Sequence, residues 1–354
     1  HLYEMLEGQV AILSAGHLSA KESLDVLDSL KKSKMFRPDQ YSYMLYPDRA
    51  LPRFPEKNNI PAKKVEESAL LSELVEKKNF SIIKVDKKGN YHFNSDFRNA
   101  EILEQALDNI KDGGYDSFTG QEKEKILEIY EEMFDHQSFT GRSGTFFGYE
   151  GLGSIYWHMV SKLLLATQEC YFRAVDEGAG QSIVSQIKDH YYEIKAGIGL
   201  YKSPELYGAF PTDAYSHTPS NEGVKQPGLT GQVKEDFISR LGEMGIRILN
   251  GEIYFDTSLL NHEEILTGQK EFEYYSIKGE KQKIIVDNNQ LALTFCQVPI
   301  IYTASKEDTI IVTFKNNQQI KLSGKTLKKD ISKQVFMRTG DVEKIDVWVQ
   351  DLKK

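Results

Sequence analysis

One change of hydrophobic period, at Gly245, constrains this chain more than any other feature of its 354 residues. Before it, apolar residues recur every three or four positions, as on one face of a helix; after it they alternate, as on one face of a strand. A run of helices followed by a run of strands gives an α+β class in two domains, a helical one over residues 1–245 and a β domain over 246–354. The length points the same way, since a single core stops growing well before this size.

In the first part, Ser19–Leu30, Ala62–Lys77, Phe97–Lys111, Gln121–Phe134, Leu152–Phe172, Gln181–Lys195 and Gln232–Met244 carry helical spacing. HLYEMLEGQVAIL already reads as the middle of an amphipathic helix, so the domain is expected to be incomplete at its amino end. The proline-rich YPDRALPRFPEKNNIP excludes helix, because each ring removes a donor and restricts its predecessor. SIIKVDKKGNYHFN over 81–94 reads as a small hairpin between helices. In the second part the strands are Ile246–Ile248, Glu252–Phe255, Phe272–Ile277, Lys283–Val286, Leu291–Val298, Thr309–Phe314, Gln319–Leu322 and Lys344–Val349, with a short helix near Lys329–Val335. So many short strands with turn chemistry between them predict an antiparallel β-sandwich or jelly roll.

A net charge of −8 and the lack of any Lys/Arg cluster argue against nucleic acid as a partner. No apolar run is long enough for a bilayer, and the amino end is not a signal peptide. The two cysteines, Cys170 and Cys296, fit no disulfide framework or thiol metal site and suit a reducing compartment, which favours the cytoplasm. The eight histidines show no ligand spacing, so no metal is expected, and no P-loop, GxGxxG or GxSxG is present.

Chemistry concentrates in two loops rich in glycine, aromatics and polar groups, Asp135–His158 and Gly208–Gly231, each leading into the amino end of a helix. In the first, Glu150 follows Tyr149 and the Phe146–Phe147 pair. Aromatic walls disfavour a carboxylate and suit a proton donor, while a cap on the helix from Leu152 is the structural alternative. Arg142, between Gly141 and Ser143, is placed either to hold an anion or to brace the loop. Asp135–His136 is a proton-transfer pair or the polar end of a helix. His158, beside Trp157, lines a cleft or is a satisfied core histidine. In the second loop Asp213 and His217 flank Tyr215, with Glu222 and Gln226 beyond, and the alternative for Asp213 is a turn residue bonded to its own backbone.

LGEMGIRILNGEIYFDTSLL, where a last helix gives way to a glycine turn and two strands, resembles the junction between the (α/α) toroid and the β-sandwich of inverting glycoside phosphorylases and related hydrolases, the cellobiose- and maltose-phosphorylase type. GRSGTFFGYEGLGSIYWHM and GAFPTDAYSHTP are similar to loops of long uncharacterised bacterial proteins of that layout. The resemblance implies a helical array of the (α/α)-toroid type and an oligo- or polysaccharide partner. It also implies an inverting acid/base mechanism without an organic cofactor, in which inorganic phosphate can be co-substrate. On that basis Glu150, Asp213 and His217 are the catalytic candidates. Arg142, Phe147, Tyr149, Trp157, His158, Tyr215, Glu222 and Gln226 are the substrate-binding ones. A polysaccharide lyase using Tyr149, Tyr215, His217 and Arg142, or a non-catalytic glycan-binding or assembly module, are the competing readings.

Overall fold

The computed structural model describes residues 4–47, 52–111, 113–135, 155–200 and 233–352, and the chain divides into two compact units. The first comprises His1–Ala166 and Asp189–Gln232; the second comprises Thr167–Lys188 and Val233–Lys354. Helix and antiparallel sheet are both present, so the chain is of α+β class. Among the described residues no helix is long and apolar enough to cross a membrane.

In the first unit, α1 (Leu6–Ser14) and α2 (Ala20–Lys32) are joined by a turn ending in Ser19. Ser19 accepts from the Glu22 amide while the Glu22 carboxylate accepts from the Ser19 amide, a capping box that fixes where α2 starts. Strands β1 (Phe36–Arg37) and β2 (Ser42–Tyr43) form a small antiparallel pair. The expectation of no helix in the proline-rich stretch fails locally: Phe54–Lys57 makes one turn, α3. Pro55 sits in its first turn, where a missing N–H is not needed and a fixed φ helps.

The single helix expected over Ala62–Lys77 is two, α4 (Ala62–Glu67) and α5 (Ala69–Glu76). Ser68 separates them in an extended conformation and caps the second by accepting from the Leu71 amide. The hairpin is β3 (Ile83–Val85) and β4 (Tyr91–Phe93), followed by α6 (Ala100–Ile110) and α7 (Gly120–Phe134), capped by Asn99 and Thr119. These elements share one core, in which Leu70, Leu71, Leu74, Ile82, Ile83, Leu103, Leu107 and Ile126 are fully buried. Tyr130 lies edge-on to Phe93 and tilted against Phe134 at its centre.

Helices α8 (Trp157–Asp176) and α9 (Gln181–Lys195) follow, and α9 widens into a π turn over Ala196–Leu200. Gly197 in that turn packs directly on the backbone of Tyr41: a Cβ there would stand 2.0 Å from the Tyr41 carbonyl oxygen, so glycine is required.

The second unit holds α10 (Val233–Glu243) and the remaining strands. The helix is inside out relative to its apolar pattern. Val233 and Phe237 are exposed, whereas Glu235, Ser239, Gly242 and Glu243 are buried. Small residues decide this, because Gly242 lies against the Gln168 side chain, whose Nε2 donates to the Ser239 carbonyl at 2.7 Å.

Strands β5 (Ile246–Leu249) and β6 (Glu252–Phe255) are a hairpin turned at Asn250–Gly251, both at positive φ. They are joined by β13 (Thr326–Leu327) in a three-stranded sheet. A separate ribbon pairs β7 (Lys270–Tyr275) with β8 (Lys281–Val286). The main sheet contains β9 (Gln290–Phe295), β10 (Val298–Ala304), β11 (Thr309–Phe314), β12 (Gln319–Ser323) and β14 (Val342–Val349), in the order β12-β11-β14-β10-β9.

The expectation of purely antiparallel pairing is corrected here. After a helix, α11 (Lys329–Phe336), the last strand inserts between β10 and β11 and runs parallel to β10. A helical connection returns the chain to the same end of the sheet, which is what parallel pairing requires. Both larger sheets and α11 contribute to one core, with Ile253, Phe255, Ile300, Tyr302, Ile310, Val312, Val335 and Ile345 at its centre.

Candidate functional site

Nine sequence-derived candidates, Glu150, Asp213, His217, Arg142, Phe147, Tyr149, Tyr215, Glu222 and Gln226, lie outside the described residues. Trp157 and His158 are described, as are both ends of the first loop.

The first loop departs from Asp135. This residue closes α7 in the left-handed region, at φ 49, with its amide donating to the Glu131 carbonyl. Lys57 approaches from α3: its Nζ donates to the Phe134 carbonyl at 3.4 Å, and the Phe54 and Phe134 rings stack 6.0 Å apart. Burial lowers the Lys57 pKa, and the neighbouring Asp135 charge opposes that shift.

The same loop returns at Ile155. The helix begins at Trp157, not Leu152, with the Tyr156 carbonyl accepting from the amides of Met159 and Val160. His158 consequently stands in the first turn of α8, half-buried, with its ring edge-on to Tyr156 at 5.8 Å. Trp157 is 3% exposed. The second loop, 208–231, lies wholly outside the described residues, which end at the π turn after α9 and resume at Val233.

Two polar centres among the described residues were not singled out from the sequence. In the first unit His190 of α9 donates from Nε2 to Asp28 Oδ1 of α2 at 2.8 Å, and Lys31 pairs with Glu193 at 2.5 Å along the same helices. The imidazole is buried and the carboxylate partly exposed. The hydrogen bond from His190 holds the Asp28 carboxyl below its ordinary value, against the opposing effect of desolvation. Helical position alone carried a signal, for His190 falls on the same face as Ile187, Tyr191 and Ile194 of the buried side of α9. Nothing in the sequence, however, indicated the partner 162 residues away.

Because the folded pKa of Asp28 is depressed, its pairing stabilises above the unfolded pKa and the effect is lost as pH falls through the folded one. Asp28→Asn is expected to cost about 0.5–1 kcal/mol at neutral pH, the discounted value for a partly exposed pair. Urea melts of wild type and variant should draw together as pH falls below the ordinary carboxylate range; a constant offset across pH would refute this account.

In the second unit Arg247 of β5 is held between rings, its guanidinium 4.4 Å from the Phe172 centroid and 5.7 Å from that of Tyr254. Its Nη2 donates to Asp176 at 2.6 Å and its Nη1 to Asp256 at 3.0 Å. Asp256 also accepts from the Ser258 hydroxyl at 2.6 Å, so it is satisfied on two sides. Nearby Arg240 bridges Glu243 and Glu264. The Arg247 cluster braces α8 against β5, and Arg240 ties α10 to the turn that carries Glu264. Among the described residues no three His, Cys, Asp or Glu side chains converge as metal ligands would.

Comparison with known families supplies what the local geometry does not. Residues 51–137 match GH149 phosphorylase insertion domain 2. The match covers about a quarter of the chain and relates it to the glycoside phosphorylases. No curated protein matches the chain. The matched span coincides with the core that runs from Phe54 to Phe134, and it ends where the first loop begins. Helices α4–α7, counted from the sequence toward a toroid, are thus the ones that resemble an insertion domain.

Proposed function

We propose that this chain is part of an inverting glycoside phosphorylase, in which inorganic phosphate attacks the anomeric carbon of an oligosaccharide and a carboxylic acid protonates the departing glycosidic oxygen. The observation that carries this reading is the coincidence between the matched insertion domain and a self-contained core of the same bounds. A segment with its own core can be inserted without disturbing its host.

In this reading the helices outside 51–137 belong to an (α/α)-toroid array, and the β unit is the sandwich-type domain that follows it. The loops 135–158 and 208–231 supply the reacting groups: Glu150 as acid, Arg142 and His217 as phosphate ligands, and Asp213 toward the sugar. Phe147, Tyr149, Trp157, His158, Tyr215, Glu222 and Gln226 shape the sugar subsites. The contact of Lys57 with the Phe134–Asp135 end of α7 couples the inserted segment to the start of the first loop.

The test uses the whole protein with α- and β-linked gluco-oligosaccharides, with and without phosphate. A sugar 1-phosphate, seen by phosphorus NMR and formed only when phosphate is present, is the expected product. Reducing sugar released equally without phosphate would replace the reading with hydrolysis, and no turnover in either condition would overturn it.

A further inference from the structure

The ribbon β7–β8 borders a cleft of about 300 Å³ together with the β9–β10 turn and the starts of β10 and β14. Its outward face is an ion-pair lattice, with Lys283 bound to Glu271 and Glu273 and Lys281 to Glu273. On its other face, Phe272 and Tyr274 stack at 6.1 Å and Tyr274 stands opposite Gln282. Tyr274, Gln282, Gln297, Lys315, Thr339 and Glu343 all line the cleft, over an apolar patch made by Pro299 and Val342.

Three observations set this cleft apart from an ordinary surface depression. First, the β9–β10 turn is made by Cys296 and Gln297, at φ 49 and 65. Neither residue favours the left-handed region, which costs about 1–3 kcal/mol at each such position and persists where surrounding structure enforces it. Second, the Gln297 side chain is fastened across the cleft, its Nε2 donating to the Ser276 carbonyl at 3.0 Å. Third, Gln297 Oε1 and Ser276 Oγ are buried and have no hydrogen-bond partner among the described residues. Buried polar atoms are rarely left unsatisfied, and two belonging to the lining of one cleft call for a partner.

The chemistry of the lining specifies that partner. An aromatic ring offers a stacking face for the C–H surface of a sugar, and the two amides, a carboxylate, an ammonium and a hydroxyl match vicinal hydroxyls as donors and acceptors. The Tyr274 phenol, like any tyrosine hydroxyl at neutral pH, is protonated, and burial and then the Glu343 charge raise its pKa further. Lys315 and Glu343 carry opposite charges, which disfavours a strongly charged ligand of either sign.

We propose that this cleft is a binding site for a neutral oligosaccharide, carried by the β unit and lined by none of the residues of the two loops. It does not depend on the phosphorylase reading. Its role is to hold a long glycan by a second point, which raises the effective concentration of chain ends.

Calorimetric titration of the full chain with malto-, cello- and β-1,3-linked gluco-oligosaccharides tests it, alongside Tyr274→Ala, Tyr274→Phe and Gln297→Gly, the last suited to the left-handed backbone. Tyr274→Ala and Gln297→Gly should each weaken one class of sites about ten-fold, with Tm and turnover of short substrates kept, and Tyr274→Phe should retain binding. Equal binding by wild type, Tyr274→Ala and Gln297→Gly, or no binding by wild type at millimolar sugar, overturns the proposal. Binding that depends on Tyr274 in a protein without phosphorolytic activity would leave the cleft standing and remove the reading of the reaction.

Discussion

Replacing Glu150 by Gln is expected to lower phosphorolysis by about 10²–10⁴-fold, the range for loss of a positioned general acid, with little change in KM for phosphate. The reason lies in where the bonds change. In the proposed phosphorolysis the C1–O bond breaks as a phosphate oxygen attacks C1 from the opposite face, and the departing oxygen needs a proton that the glutamine amide cannot supply. Asp213→Asn separates the reaction classes. Hydrolysis by inversion needs a second carboxylate to activate water, so both variants would be equally damaged. Phosphate is already a nucleophile and needs no base, so in a phosphorylase Asp213→Asn is expected to cost less than about ten-fold. Steady-state kinetics on the two variants, in the direction of sugar 1-phosphate formation, gives the result. Wild-type rates in Glu150→Gln would remove the assignment of the acid.

How far such assignments were legible in the sequence differs between the two units. In the second unit alternation placed most strands correctly, because one face of most of them lies against the core. The exception is instructive: Leu291–Val298 reads as one strand but is the end of one and the start of the next. The turn at Cys296–Gln297 lacks the Asn-Gly chemistry that announces a two-residue hairpin. Pro299 further hid β10, since proline argues against an inner strand. It is tolerated because pairing with β14 begins one residue later, at Ile300.

In the first unit the 3.6-residue period found the helices but not what they pack against. The stretch α4–α7 looks like any other part of a helical array until its core is seen to run only from Phe54 to Phe134. For α10, periodicity pointed the wrong way round. Its apolar residues Val233 and Phe237 face out, because Gly242 and Ser239 allow a close approach to Gln168 that bulkier residues would block. The loops drew attention through composition alone, and composition says which residue types are available, not which of them meet. The cleft beside β7–β8 carried no sequence signal at all. Tyr274, Gln297 and Glu343 come together through sheet order, which is a long-range property of the chain.

Long-range pairing also underlies the largest stability effect expected in this protein, that of Arg247→Met. Asp256 is buried and Arg247 is its charged partner, with Asp176 taking the other edge of the guanidinium. Methionine keeps the contact with the Phe172 ring but leaves the Asp256 charge uncompensated in a buried place. Removing one member of a buried pair in this way costs about 3–5 kcal/mol. Thermal unfolding should show it as a drop of roughly 10 °C in the transition that includes the β unit. Asp176→Asn, on the exposed edge, should cost less than about 1 kcal/mol. Combining Arg247→Met with Asp256→Asn should recover part of the loss, because the second change removes the stranded charge while an amide still accepts from Ser258. Strict additivity of the two would mean that the arginine acts through its stacking on Phe172 and Tyr254 rather than through its charge.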